Sequence, residues 1–274
     1  MSNVVIGTAL NYSVEHIKNF VLSFRKFNTV DDIILIYNLA EVNKVNEMFD
    51  FTEKYNVKLV DFAPYDTLPI HVVSSRFLRY LDIVNQFKEY KHILLADVRD
   101  VFFQSNPFDN LPEGEFLYAF TEDPGLSIEK EEHHINMILK LFGRETLEQF
   151  AGKKIICSGT ILGTNEKVKN WLITFRDYLT QIQKGKPAIC YEMLLDQVIA
   201  NHIYYFQDNG KEIELKNNGD IVGTIGLCIT HPDHVGDMKI DNNVIYLDGK
   251  IPAIIHQYDR SPELFKQISE LYPC

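Results

Sequence analysis

The chain of 274 residues carries 46% hydrophobic and 24% charged side chains and no low-complexity tract, so one substantial core and a single domain over 1–274 are expected. A net charge of −11 without any Lys/Arg cluster argues against a nucleic-acid partner, and a chain this acidic needs a cation to handle phosphates. With no basic leader, no apolar stretch of about 18 residues, and Cys157, Cys190, Cys228 and Cys274 far apart, the expectation is a cytoplasmic protein with reduced thiols and no membrane span.

Short apolar runs alternate with amphipathic ones, the pattern of parallel strands joined by crossover helices. Strands are predicted at 4–10, 32–37 and 57–61, with helices at 16–27 and 43–54; Ile17, Phe20, Val21 and Phe24 share one face of the first. A helix capped by Ser74 or Ser75 runs to about 87 and buries Phe77, Leu81 and Val84. HILLADVRDVFFQ at 92–104 opens as the most apolar strand and surfaces at Asp97, Arg99 and Asp100. Asn106-Pro107 stops it, 115–120 reads as another strand, and 129–142 and 147–150 read as helices with a solvated acidic face that includes Glu131, Glu132, His133 and His134. KIICSGTILG at 154–163 reads as two β runs around a Ser158-Gly159 kink. Helix 166–183 has a stripe of Val168, Trp171, Leu172, Phe175, Leu179 and Ile182, is ended by Gly185 and Pro187, and is followed by a helix at 191–202. From 203 the signals turn to hairpins, with turns at Asn218-Gly219 and Asp248-Gly249, and a last strand at 251–255 delivers His256. This is an α/β chain whose central sheet is mostly parallel and flanked by helices: a nucleotide-type half over about 1–110 and a mixed α+β half over about 111–274.

In open α/β sheets, ligands sit beyond the carboxyl ends of the strands, which selects residues 8–11, Asn38, Asp61 and 97–100. Asp97 and Asp100 repel one another unless a positive group lies near. Arg99 can supply it, giving a salt-bridged corner; alternatively two carboxylates suit Mg²⁺ or Mn²⁺, with the His256 imidazole favouring Mn²⁺. His231, Asp233, His234 and Asp237, around Pro232 and Gly236, read as a polar loop rather than a metal site.

Arg76-Phe77 and Tyr80, then ILLADVRDVFFQSNPF, CSGTILGT, LLDQ and IIHQYDR, stand in the order and spacing of the metal-dependent, DxD-type glycosyltransferases of the GT-A fold. The chain resembles that family from its first strand to about Arg260. The resemblance implies that Thr8, Ala9 and Asn11 line the base and ribose of a nucleotide sugar, and that Arg76 reaches the diphosphate or donor sugar. It places Asp97 and Asp100 at the aspartates that bind ribose and metal, separated here by two residues where DxD has one, and makes His256 a further metal or diphosphate contact. Ser158 and Gly159 would approach the donor sugar, and Asp196, beside Gln197 as in the family's Asp-Gln pair, would point toward the acceptor and serve as base if the transfer inverts, a retaining transfer requiring none, whereas Glu192 one turn earlier is discounted. Mn²⁺ (or Mg²⁺), a UDP- or GDP-sugar donor and a glycan or glycoconjugate hydroxyl acceptor follow from the same resemblance. A sugar-nucleotide pyrophosphorylase calls for a glycine-rich loop where TALNYS stands, a dinucleotide oxidoreductase for GxGxxG, and a haloacid-type phosphatase for DxD after the first strand. A non-catalytic carbohydrate- or nucleotide-binding protein on the same fold is the alternative of another class.

Overall fold

A computed structural model describes residues 2–38, 42–65, 68–122, 125–207, 213–230 and 238–273. The chain begins with β1 (Val4–Thr8), α1 (Val14–Phe27), β2 (Asp32–Tyr37), α2 (Val42–Lys54) and β3 (Val57–Asp61), then α3 (Val72–Gln86), β4 (His92–Ala96), β5 (Val101–Phe103) and β6 (Leu117–Thr121). Next come α4 (Glu132–Leu141), α5 (Arg144–Gln149), β7 (Ile156–Thr164), α6 (Asn165–Gly185) and α7 (Leu195–Phe206). The rest is β8 (Ile213–Lys216), β9 (Val222–Thr224), α8 (Gly226–Thr230), β10 (Met238–Asp241), β11 (Val244–Leu247), β12 (Ile254–His256) and α9 (Pro262–Leu271).

Seven strands form the central sheet in the order β3-β2-β1-β4-β7-β6-β8; all neighbours are parallel except β7, which runs antiparallel to β4 and β6. Strand periodicity splits its side chains between two apolar layers. Val4, Ile6, Ile34, Ile36, Ile93 and Leu95 pack on the side of α3, α6 and α7, whereas Val5, Ile33, Leu35, Leu94 and Ala96 pack with Phe20 and Phe24 of α1. The chain winds outward from β1 to β3 and then returns to place β4 on the other side of β1, so a crevice opens beyond the carboxyl ends of β1 and β4. A second sheet, β5-β12-β9, closes one side of that crevice, with His256 in register with Val101 and Thr224.

Several local expectations change. The N-cap of α3 is His71, whose side chain accepts from the Val73 amide; Ser74 and Ser75 lie buried inside the first turn. β7 is one continuous strand, but its register against β6 jumps between Ala119 and Thr121, an irregularity around the Ser158-Gly159 position. Residues 203–206 stay in α7, β8 joins β6 in parallel, and the Asn218-Gly219 turn links β8 to a strand of another sheet. The β10-β11 hairpin turns on Asn242 and Asn243, both with positive φ, as a primed turn requires. The His231–Asp237 loop lies outside the described residues. Cys157 and Cys190 are free thiols, and no described helix is long and apolar enough to cross a membrane.

Candidate functional site

Residues 97–100 form the turn between β4 and β5, and backbone hydrogen bonds pin it from two sides. The Asp97 amide donates to Gly159 O of β7 at 2.8 Å, and the Gln257 amide just past β12 donates to Asp100 O at 2.8 Å. Gln257 makes that bond in the left-handed region (φ 62°), a strained setting for a side chain of its size. The same clamp seats His256, 1% exposed, with Nε2 at 3.6 Å from Asp97 Oδ2 and 3.7 Å from Asp100 Oδ2. Its Nδ1 faces Cys157 Sγ at 3.3 Å and Thr224 Oγ1 at 3.5 Å.

Arg76, on α3, lies on the other side of Asp97. Its guanidinium pairs with Asp97 Oδ1 and reaches Asp196 Oδ2 at 3.3 Å, an oxygen that also accepts from Ser158 Oγ at 3.0 Å. Gly159 passes so close that a Cβ there would stand 2.6 Å from His256 Cε1 and 2.7 Å from Asp97 Oδ2. Only glycine lets β7 run beneath these two groups.

Burial and charge act against one another here. Burial opposes ionisation of Asp97, yet Arg76 and His256 outweigh it and bring its pKa down to about 2. Asp100 is raised by burial, with His256 opposing and Asp97 adding to the rise. Asp196 is raised to about 6, again by burial first, with Arg76 opposing and Asp97 adding. Burial works against a charge on His256, but Cys157, Asp100 and Asp97 reverse that and hold its pKa well above the usual value.

One ligand atom each from Asp97, Asp100 and His256 lies within 4.8 Å of the others. Two carboxylates and an imidazole are a donor set that fits a divalent ion such as Mn²⁺ or Mg²⁺, and the missing Cβ at Gly159 keeps backbone bulk away from it.

The cleft beside this cluster has a volume of about 260 Å³, and Thr8, Arg76, Asp97, Arg99 and Asp100 line it. Ser158 and Asp196 join it through Arg76. Of the residues expected at the base and ribose, Thr8 lines the cleft, whereas Ala9, fully buried with its amide bonded to Ile36 O, and Asn11, which at φ 58° exchanges hydrogen bonds with Asn38, are not among its lining residues. Tyr12, stacked on His16, takes a place in the lining, as do Val72, Val73, Asp259 and Arg260. Arg99 is half exposed and bonded to Asp259 at 2.7 Å. Sequence reasoning passed over Tyr12, Cys157 and Arg260, although each lies within or beside a segment already singled out, TALNYS, CSGT or HQYDR.

No family model matches the chain, and no curated relative matches it. Among solved structures it is similar to the galactosyltransferase LgtC in complex with donor and acceptor sugar analogues, at 13% identity and a TM-score of 0.59 over 99% of this chain and 96% of that one. It is also similar to the glycosyltransferase GlyE of Streptococcus pneumoniae TIGR4, at 15% identity and a TM-score of 0.55 over 98% of this chain, and to the apo form of GlyE at 17% and 0.56. The chain spans 60% of the length of GlyE. At such identities the likeness speaks for architecture: the mostly parallel sheet, its flanking helices and its crevice are those of a GT-A-like glycosyltransferase fold.

Proposed function

We propose that the chain, acting as a single domain, is a metal-dependent glycosyltransferase that moves a sugar from a UDP- or GDP-sugar to a hydroxyl of a glycan or glycoconjugate. The observation that carries this reading is the meeting of Asp97, Asp100 and His256 with Arg76 in one cleft at the carboxyl ends of β1 and β4. The free thiols at Cys157 and Cys190 support a cytoplasmic setting.

In the transfer, the bond between the anomeric carbon and the diphosphate oxygen breaks, a bond to the acceptor oxygen forms, and a nucleoside diphosphate departs. Asp97, Asp100 and His256 would hold Mn²⁺ or Mg²⁺, which when bound supplies Lewis-acid stabilisation of the departing diphosphate. Arg76, clamped between Asp97 and Asp196, presents a fixed positive charge to the same developing charge without reorganising. Thr8 and Tyr12 form the wall offered to nucleoside and ribose, and the bare Gly159 with Ser158 lets the donor sugar approach β7. In an inverting transfer, Asp196 takes the proton of the acceptor hydroxyl; a pKa of about 6 leaves it a carboxylate in neutral solution that still holds a proton readily.

The test is thermal melting with UDP and GDP, with and without Mn²⁺ or Mg²⁺, followed by a panel of nucleotide sugars scored for slow release of free sugar. Stabilisation that needs nucleotide and metal together, and disappears in Asp97→Ala/Asp100→Ala, is expected. Unchanged metal-dependent stabilisation in the double variant would overturn the site. Stabilisation without any sugar release from the panel would favour a binding protein.

A further inference from the structure

A second groove, of about 570 Å³, lies alongside the donor cleft and has no part in the mechanism above. Arg260 lines both cavities, and Gln257, whose amide is bonded to Asp100 O, lines the groove. At this end its wall includes Gln197, next to Asp196, with its side-chain amide donating to Glu122 Oε1 at 2.6 Å and Ile156 O at 3.2 Å. Another part of the wall is the turn between α6 and α7, where Tyr191 and Met193 are 61% and 71% exposed. Both line the groove, which therefore offers exposed apolar surface for a ligand to cover.

We propose that this groove seats the acceptor and that the acceptor is an uncharged oligosaccharide, its reducing or internal sugar rings stacked by their C–H faces on Tyr191 and Met193. The proposal rests on the glycosyltransferase reading and names the substrate class of that site.

The charges along the groove carry the choice of class. Glu122, Glu131 and Glu192 line it, Arg260 is its sole lysine or arginine among the described residues, and that arginine sits at the donor end. An acceptor bearing carboxylate, phosphate or sulfate would meet like charge along the groove. Nor do the carboxylates ask for a cation. Glu122 is taken by Gln197, Glu131 accepts from the His134 amide and ring at 2.8 Å, and Glu192 pairs with Lys140 at 3.2 Å. What remains for a ligand is the exposed apolar surface of Tyr191 and Met193 beside satisfied polar groups, a combination that a neutral pyranose matches with one apolar face and a rim of hydroxyls.

Saturation-transfer NMR and titration test this with lactose, cellobiose and N,N′-diacetylchitobiose as neutral probes, the glucosamine dimer of chitosan as the cationic one, and sialyllactose and cellobiose sulfate as anionic ones. Each is measured with the protein alone and with Mn²⁺ plus UDP or GDP. At least one neutral disaccharide binds, with charged members weaker by about tenfold, and Tyr191→Ala/Met193→Ala weakens it about tenfold while the nucleotide-dependent melting shift stays. Asp97→Ala/Asp100→Ala protein still binds the neutral sugar, so loss of the nucleotide response alone counts against the reaction and not against the groove. The inference is overturned if a charged probe binds as tightly as the best neutral one, if neutral binding survives Tyr191→Ala/Met193→Ala, or if no probe binds under any condition.

Discussion

The two ends of the central strands carry polar clusters of opposite design. At the amino ends of β1 and β2, Asp31 accepts from the Asn3 amide at 2.8 Å, from Asn3 Nδ2 at 3.0 Å and from Asn28 Nδ2 at 2.7 Å. Arg25 beside it spends its guanidinium on the carbonyls of Tyr55, Asn28, Asp31 and Asn56. That corner is closed: acceptors are matched to donors, and its energy goes into holding loops to the sheet. At the carboxyl ends, three acidic groups crowd one buried arginine and one histidine, Arg76 Nε has no partner, and Asp196 is pushed toward neutrality. A cluster built only for stability would not assemble like charges in this way, since buried charge is costly unless compensated.

Gly159→Ala should break the second cluster most completely, because the new methyl displaces His256 and Asp97 together. We expect sugar release to fall about 100-fold or more, and the metal-dependent melting shift to vanish, from a misplacement of this kind. A variant that keeps both would remove the need for glycine there. Asp31→Ala should do the reverse, lowering stability in urea by about 2–3 kcal/mol through the donors it strands, with the nucleotide response intact.

Asp196→Asn sharpens the contrast through pH. The folded protein holds this proton up to about pH 6 against an ordinary value of 3.8, so native stability declines as pH climbs from near the lower value to the higher and is then level. The asparagine variant should escape that decline and be more stable than the parent at pH 8 by roughly 1–3 kcal/mol, with the difference shrinking toward pH 4, while transfer is lost. Urea melts at both pH values measure it; an equal gap at the two would refute the assignment. Arg99→Ala is expected to cost least, about 0.2–1 kcal/mol, because the Arg99 guanidinium is half exposed and Arg260, 3.6 Å from the buried Asp259, still compensates that carboxylate. A larger loss in a melting experiment would make Arg99 part of the cluster.

Much of this was readable in the residues. The Asp97–Asp100 turn, the α1 face of Ile17, Phe20, Val21 and Phe24, and the placing of His256 at a strand end all follow from periodicity and strand-end position, which are local properties. What escaped is what depends on distant partners. His71 outcompetes two serines as the cap of α3, where its amide also donates to Cys190 O from a remote turn. The run after α7 gives no local sign that β8 pairs in parallel with β6, since strand partners far apart in the chain leave no periodic trace. Ala9 and Asn11 follow β1 as expected, but it is Leu10 and Tyr12 of the same loop that line the cleft; a one-residue difference in a loop is beyond pattern reading.

The β5-β12 pairing has a consequence for when the cluster can exist. Arg99 and Asp259, which flank the clamp, stand 160 positions apart, and His256 reaches the aspartates only through β12. Contacts of such separation form late, after the loop-closure entropy has been met by the larger sheet. On the proposed function, a chain that has laid down β1 to β4 would still lack the His256 side of the candidate metal cluster, and would complete it only once β12 docks. Recovery of the metal-dependent response would then serve as a clock for the last step of folding.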